Sequence, residues 1–414
     1  MVSVNGSTGG RGRGRYHRAV RPHPSSAPVP GPDPEPAREP VPARPSRLRI
    51  PVRIRRIPSR VAFRLTPDRA LVGWPPELGR HRPSSPPRTG IVGFYGQGNY
   101  GDELFLDVFR EHLASATELT VLTQAQAGPI PPASRSAVRA QDAIVIGGGD
   151  LIVPWQTNPR DWSSDYLRRP VHVIGVGVPT WREARPAAMR QLRRFMQHGS
   201  IRSISARDVE SAAWIRDQLA PRVPVEMAAD LVFALSLPAA PRPDGPPILG
   251  IVVRWRNDQD DFSAVRAMAA RGRELGYRLR SIVLATGEVR RRDEAALARL
   301  ALPVDETVAS DDLAALSRAI GECTMLASHK FHGTVVAAAY GVPAISMATT
   351  DKNRNLLRRL GRPEWVCAFH DPSLPDLIVA DPPPVDAAIV AAMRAEAIAS
   401  LATLRARLSG ADVL

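Results

Sequence analysis

Ala143-Ile144-Val145-Ile146-Gly147-Gly148-Gly149-Asp150 sets an unbroken apolar run against three glycines and an acid. Four consecutive apolar residues leave no polar face for solvent, so the run reads as a strand buried on both sides. Strands of that kind occur in parallel sheets covered by helices. The glycines after it let the backbone turn sharply or come close to another group.

Working outward, the same alternation recurs. Ile91 to Tyr95, Leu119 to Leu122, Val171 to Val176 and Ile201 to Ile204 read as strands, and Met227 to Phe233 returns toward the sheet. Helical patterns lie between them at Asp102 to His112, Arg182 to His198 and Val209 to Gln218. Residues 237–247 hold five prolines and read as a linker. Beyond it the alternation restarts, with strands at Ile248 to Val253, Arg280 to Leu284, Met325 to Ser328 and Pro343 to Met347. Helices are expected at Phe262 to Leu275, Arg291 to Leu300, Leu313 to Ile320, His332 to Tyr340 and Val385 to Leu408. The expected fold is therefore α/β, with two Rossmann-like domains over 89–236 and 248–414, the second ending in a long helix.

Charge divides the chain differently. Residues 1–90 carry 18 Arg against 5 Asp plus Glu, leaving 37 basic and 36 acidic residues for all the rest. Of the formal net charge of +14, +13 thus belongs to the first ninety residues and +1 to the rest. They also hold 18 of the 41 prolines. Residues 1–88 are expected to form a disordered basic arm, because they cannot bury enough apolar surface to offset chain entropy. The arm lacks interleaved aromatics, so it predicts weak contact with anionic partners and no specific nucleic acid. Two cysteines exclude a disulfide framework and offer no metal spacing. The expectation is a cytoplasmic protein, with the inner membrane face as a secondary site.

Three stretches carry candidate chemistry. Gly96-Gln97-Gly98-Asn99-Tyr100-Gly101-Asp102-Glu103 joins a strand to a helix, but no acid follows at the spacing of a dinucleotide site. Asp102 and Glu103 either cap that helix or act on a ligand. Ser205 to Ser211 is a strand-to-helix turn with Arg207 at its mouth, and Arg254 ends the first strand after the linker. The third stretch is Ser328-His329-Lys330-Phe331-His332-Gly333-Thr334. A helix start there offers free N–H groups to an anion, Lys330 adds a point charge, and His332 adds an imidazole suited to proton transfer. The chain has only two lysines, Lys330 and Lys352, both within 23 residues. The alternatives are a structural core histidine at 332, or a metal site formed by His329 and His332.

These pieces, in this order, resemble the polysaccharide pyruvyl transferase family. The match spans about 91–365 and rests on several motifs. They are Asn99-x-Gly101-Asp102-Glu103, Gly147-Gly148-Gly149, Arg207-Asp208-x-x-Ser211, Arg254, Ser328-x-Lys330-x-His332, Gly341-x-Pro343 and Asp351-Lys352. The family carries Arg where this chain has Lys330. The resemblance implies a GT-B-type arrangement, two Rossmann-like domains facing a cleft. It implies transfer of a pyruvyl group from phosphoenolpyruvate to a saccharide acceptor, free or lipid-linked, without a cofactor or metal. On that reading His332 and Asp102 are catalytic. Arg254, Lys330, Ser328 and Arg207 hold phosphoenolpyruvate, while Asn99, Glu103, Gly148, Gly149 and Asp150 face the acceptor. A nucleotide-sugar glycosyltransferase, with Glu288 or Glu322 on the ribose, and a non-enzymatic binder are the competing readings.

Overall fold

Ala143–Gly149 is a strand along its whole length, glycines included, and every residue of it is buried. The expected turn is instead strand backbone in which Gly148 and Gly149 take φ of 79° and 84°, a region that suits glycine. In this computed structural model, residues 74–76, 84–123, 132–254 and 261–409 are described. They belong to one compact unit.

The first half alternates β1 (Arg88–Val92), α1 (Tyr100–Leu113), β2 (Glu118–Val121), α2 (Arg135–Arg139), β3 (Ala143–Gly149), β4 (Val171–Val176), α3 (Pro186–Met196), β5 (Ile201–Ala206), α4 (Val209–Leu219) and β6 (Val225–Met227). Its strands form one parallel sheet in the order β2-β1-β3-β4-β5-β6. After a turn at Leu231–Ala234, residues 237–247 run without helix or strand. The second half follows with β7 (Ile248–Val252), α5 (Ser263–Glu274), β8 (Arg278–Val283), α6 (Gly287–Leu300), β9 (Glu306–Ala309), α7 (Leu313–Gly321), β10 (Met325–Ser328), α8 (Phe331–Ala339), β11 (Ala344–Ser346), α9 (Asp351–Arg359) and α10 (Ala387–Leu408). Its sheet, also parallel, runs β11-β10-β7-β8-β9. The fold is the expected α/β pair of Rossmann-like units in a GT-B-type arrangement.

Helix packing explains the strand glycines. A Cβ on Gly148 would lie 2.6 Å from the Phe105 ring on α1, so that glycine lets the helix settle on the sheet. Phe105, Val108 and Phe109 are buried there, each side chain contributing roughly 1.5–3 kcal/mol. α10 buries Met393, Ala397, Leu401, Leu404 and Leu408, one stripe at helical spacing. Its length of 22 residues and mean hydropathy of 1.5 would suffice to cross a membrane. Here it reaches back to the first half, where Arg407 pairs with Glu226 at 3.5 Å.

The basic arm expected over 1–88 falls outside the described residues except at 74–76 and 84–88. Of these, Trp74 packs edge-on against Phe195 and under the Arg194 guanidinium. The Pro75 carbonyl accepts a hydrogen bond from His198 Nε2 at 2.9 Å.

Candidate active site between the two sheets

The helix starts that follow β1 and β10 meet each other. Asn99 precedes α1 and bridges to Ala285 just after β8, and the Thr286 N–H donates to the Gly98 carbonyl at 2.9 Å. Gly98 is needed for that approach: its φ is 77°, and a Cβ would sit 2.3 Å from the Thr286 oxygen. Tyr100 and Ser317 hydroxyls close the same seam at 2.6 Å.

Gly101 faces the His332 ring across this seam. An ideal Cβ on Gly101 would fall 1.7 Å from His332 Nδ1. The imidazole is buried and lies edge-on to both Phe105 and Phe331. Its Nε2 faces Asp230 Oδ2 at 3.6 Å, an ion-pair distance rather than a closed hydrogen bond. Burial raises the Asp230 carboxyl, but His332 and Arg207 more than reverse this and hold it below the usual range. His329 instead lies tilted against Phe369, ring centroids 4.6 Å apart, so the two imidazoles serve different neighbours.

Asp102 follows Gly101 and is buried beside the same ring. Burial pushes its carboxyl up to about 6, against the pull of His332, the Asn99 amide and Lys352. Asn99 Nδ2 donates to Asp102 Oδ2. Glu103 does different work: its Oε1 accepts the Gly98 N–H at 3.2 Å and so orders the loop before the helix. Gly149 borders Asp102, since a Cβ there would lie 3.3 Å from Asp102 Oδ1.

Two cations meet a single acid across the seam. Arg207 Nη2 donates to Asp150 Oδ1, and Lys352 Nζ lies 2.9 Å from Asp150 Oδ2. Burial alone would raise Asp150, yet Arg207 and Lys352 hold it well below the usual carboxylate range. Both cations also lie over the Phe331 ring, at 4.8 and 5.2 Å. Arg207 is 5% exposed. Its Nη1 makes no hydrogen bond, and its Nε has only Asp208 Oδ2 at 3.7 Å.

α9 brings Lys352 here. Asp351 Oδ2 accepts from the Thr180 N–H and hydroxyl, at 3.0 and 2.7 Å. Asn355 Nδ2 donates to Asp208 Oδ1 at 3.2 Å, and Arg358 pairs with Glu210. Asp208 otherwise caps α4 through the Ser211 N–H at 2.7 Å.

Several expected residues sit differently from the sequence reading. Lys330 turns its ammonium toward α6, 2.5 Å from Asp293 Oδ2, and donates to the Leu284 carbonyl at 2.7 Å. Burial lowers its pKa, with Asp293 opposing. Its charge is matched there, so it fixes the start of α8 against β8 and α6. Ser328 is fully buried; its hydroxyl donates to the Lys330 carbonyl at 2.8 Å and accepts the Lys330 N–H at 3.1 Å. Arg254 is exposed at the end of β7, near enough to Lys330 for their charges to interact. Gly148 serves helix packing. Glu322 is bound by Arg280 at 2.7 Å, and Glu288 pairs with Arg291, so neither candidate ribose carboxylate is unengaged.

Asp230 was not singled out in sequence. Its signal was an acid enclosed by apolar residues, Ala228-Ala229-Asp230-Leu231-Val232, a pattern that suits a buried carboxylate. Lys352 was visible as the second of two lysines, but nothing in its surroundings tied it to Asp150.

A buried imidazole–carboxylate pair beside buried cations, at the seam of two parallel sheets, suits the group-transfer enzymes. The chain belongs to the polysaccharide pyruvyl transferase family, whose sequence profile matches residues 99–351. No curated protein matches the chain by sequence. Among solved structures, S. aureus MnaA in a UDP co-structure is similar over 79% of this chain and 97% of that one, at 8% identity and a TM-score of 0.50. The UDP-N-acetylglucosamine 2-epimerase from Rickettsia bellii is similar over 78% and 96%, at 10% identity and a TM-score of 0.48. A putative enzyme of the same name from Listeria monocytogenes gives 79% and 98%, at 12% identity and 0.47. At such identities the likeness is one of fold.

Proposed function

We propose that this protein moves the pyruvyl unit of phosphoenolpyruvate onto two hydroxyls of a saccharide, forming a pyruvate ketal and releasing phosphate. One observation carries the reading. Unsatisfied buried polar atoms gather around the start of α8: Arg207 Nη1, His332 Nε2 and Asp230 Oδ2. Each such atom costs about 1–3 kcal/mol unless a partner completes it, and a cluster of them suits a small polar ligand. A carboxylate or phosphate would complete Arg207, with Lys352 as second cation and Arg254 at the rim.

The chemistry then divides among these residues. Protonating the methylene carbon of the enol makes the adjacent carbon electrophilic. A sugar hydroxyl attacks it, and a second hydroxyl displaces phosphate. One hydroxyl proton replaces that delivered to carbon, and the other leaves with phosphate. His332 delivers the proton, and Asp230, 3.6 Å from its Nε2, steadies the ring. Asp102, ionised above pH 6, draws the proton from the incoming hydroxyl.

Incubation with phosphoenolpyruvate and a panel of glycans tests this. The expected outcome is acceptor-dependent phosphate release with a mass gain on the sugar. Release that follows a nucleotide sugar and ignores phosphoenolpyruvate would overturn it. A further check is Gly101→Ala. Its methyl must displace the imidazole or α1, and a misplacement near 1 Å costs about 100-fold in rate. Turnover should fall by that factor while far-UV circular dichroism stays unchanged.

A further inference from the structure

Three neighbouring strands of the first sheet, β1, β3 and β4, each lead into a loop that carries an aromatic side chain. These are Phe94, Trp155 and Trp181. Trp181 is 52% exposed and Phe94 37%, whereas the large rings Trp162, Tyr95 and Phe105 are buried. Leaving an indole in water forgoes about 1.5–3 kcal/mol of burial, and exposed aromatics grouped at one edge mark binding surfaces. The edge is also the chemical one. Ligands of open α/β sheets lie beyond the carboxyl ends of the strands, where Gly149, Asp150 and Asp102 already sit.

The aromatic loops are held in place. Trp155 and Trp181 pack with ring centroids 5.1 Å apart and planes at 55°. The Arg185 N–H donates to the Pro154 carbonyl at 2.9 Å, joining the two loops by backbone. Thr180, next to Trp181, is bound to Asp351, next to the Lys352 that reaches Asp150. The Arg160 guanidinium lies 5.2 Å from the Phe94 ring centroid and is fixed by Asp161. Such a surface needs little ordering when a ligand arrives.

We infer that Trp181, backed by Trp155, with Phe94 and Arg160 alongside, forms a stacking platform for the pyranose units of the acceptor saccharide. Pyranose rings present a face of C–H bonds that lies flat on an indole, while their hydroxyl edges reach polar groups such as Arg160 and Thr180. Neutral sugars carry no charge for the buried cations to grip, so the acceptor requires an apolar surface of its own. Trp181 is one residue from Thr180, whose hydroxyl is bound to Asp351 beside Lys352. This inference rests on the saccharide-acceptor reading above and names where that acceptor lies.

The test reads binding without chemistry. The full chain is titrated with mannotetraose, cellotetraose and lacto-N-tetraose in the absence of phosphoenolpyruvate, following tryptophan emission and isothermal heat. At least one tetrasaccharide should bind; Trp181→Ala should weaken it about tenfold, and Trp181→Phe should restore most of the loss. Absence of binding by all three, or equal binding by Trp181→Ala and the parent, overturns the platform. A change of sedimentation in Trp181→Ala with no change in sugar affinity also overturns it and assigns the ring to self-association. If sugar binds but phosphoenolpyruvate yields no phosphate, the platform stands and the donor reading falls.

Discussion

His332→Ala should lower turnover by about 10³-fold or more while the protein keeps its two-sheet fold. General acid–base catalysis by one side chain contributes roughly 10²–10⁴-fold, and the proposed chemistry places His332 at its hardest step, protonation of carbon. Binding of phosphoenolpyruvate, read by heat, should change only a few-fold, because Arg207 and Lys352 remain. The variant also leaves an imidazole-sized void between Phe105 and Phe331, and it removes the imidazole that faces Asp230 Oδ2 at 3.6 Å. Two consequences follow. Free imidazole at millimolar concentration should restore part of the turnover by occupying the void. Stability should fall, because the Asp230 carboxylate loses an interaction that kept its pKa low. That contribution exists above the unfolded carboxylate pKa and fades as pH drops through the folded value, so the loss should be larger at neutral than at acid pH. His332→Gln serves as the control that fills the space. Near-parental turnover in either variant would remove His332 from the reaction.

The architecture was legible because the strands announce themselves. Met325–Ser328 is a strand with the expected ends, and Val171–Val176 likewise. A strand buried on both faces needs an unbroken apolar run, and few other structures do. α9 was missed for the opposite reason. Asp351-Lys352-Asn353-Arg354-Asn355-Leu356-Leu357-Arg358-Arg359 has two apolar residues and no periodic stripe. It is a helix that joins the halves through polar groups, so hydrophobic periodicity passes over it. With it went the location of Lys352. Lys330 is a case of another kind. Its place at the helix start was read correctly, but a four-carbon side chain can point several ways. Asp293, on a helix remote in sequence, decides the direction. Gly101 shows the same limit: the motif marked it, but the reason for a missing side chain, an imidazole on the other sheet's helix, exists only after folding.

Asp102→Asn should make the protein more stable and nearly inactive at once. Burial holds the Asp102 carboxyl at about 6, some two units above an unperturbed aspartate. The folded state therefore prefers the protonated form. Its stabilising contribution is complete below the unfolded pKa near 4 and is lost as pH rises through about 6. Above that, the ionised carboxylate costs on the order of 2–3 kcal/mol. Asparagine has the same shape and no charge, so it removes the cost. Its weaker contact with Asn99 gives back about 1 kcal/mol. Urea midpoints should show the variant more stable than the parent at pH 8, with the gap closing toward pH 4.5. Activity should move the other way, falling about 10²–10⁴-fold. In the parent, kcat/KM should climb with pH until about 6 as Asp102 ionises, and that limb should vanish in the variant. General damage to the fold would lower both stability and rate, so opposite signs identify a buried acid kept for chemistry. A variant less stable than the parent at pH 8, or one with full turnover, would show that Asp102 only shapes the start of α1.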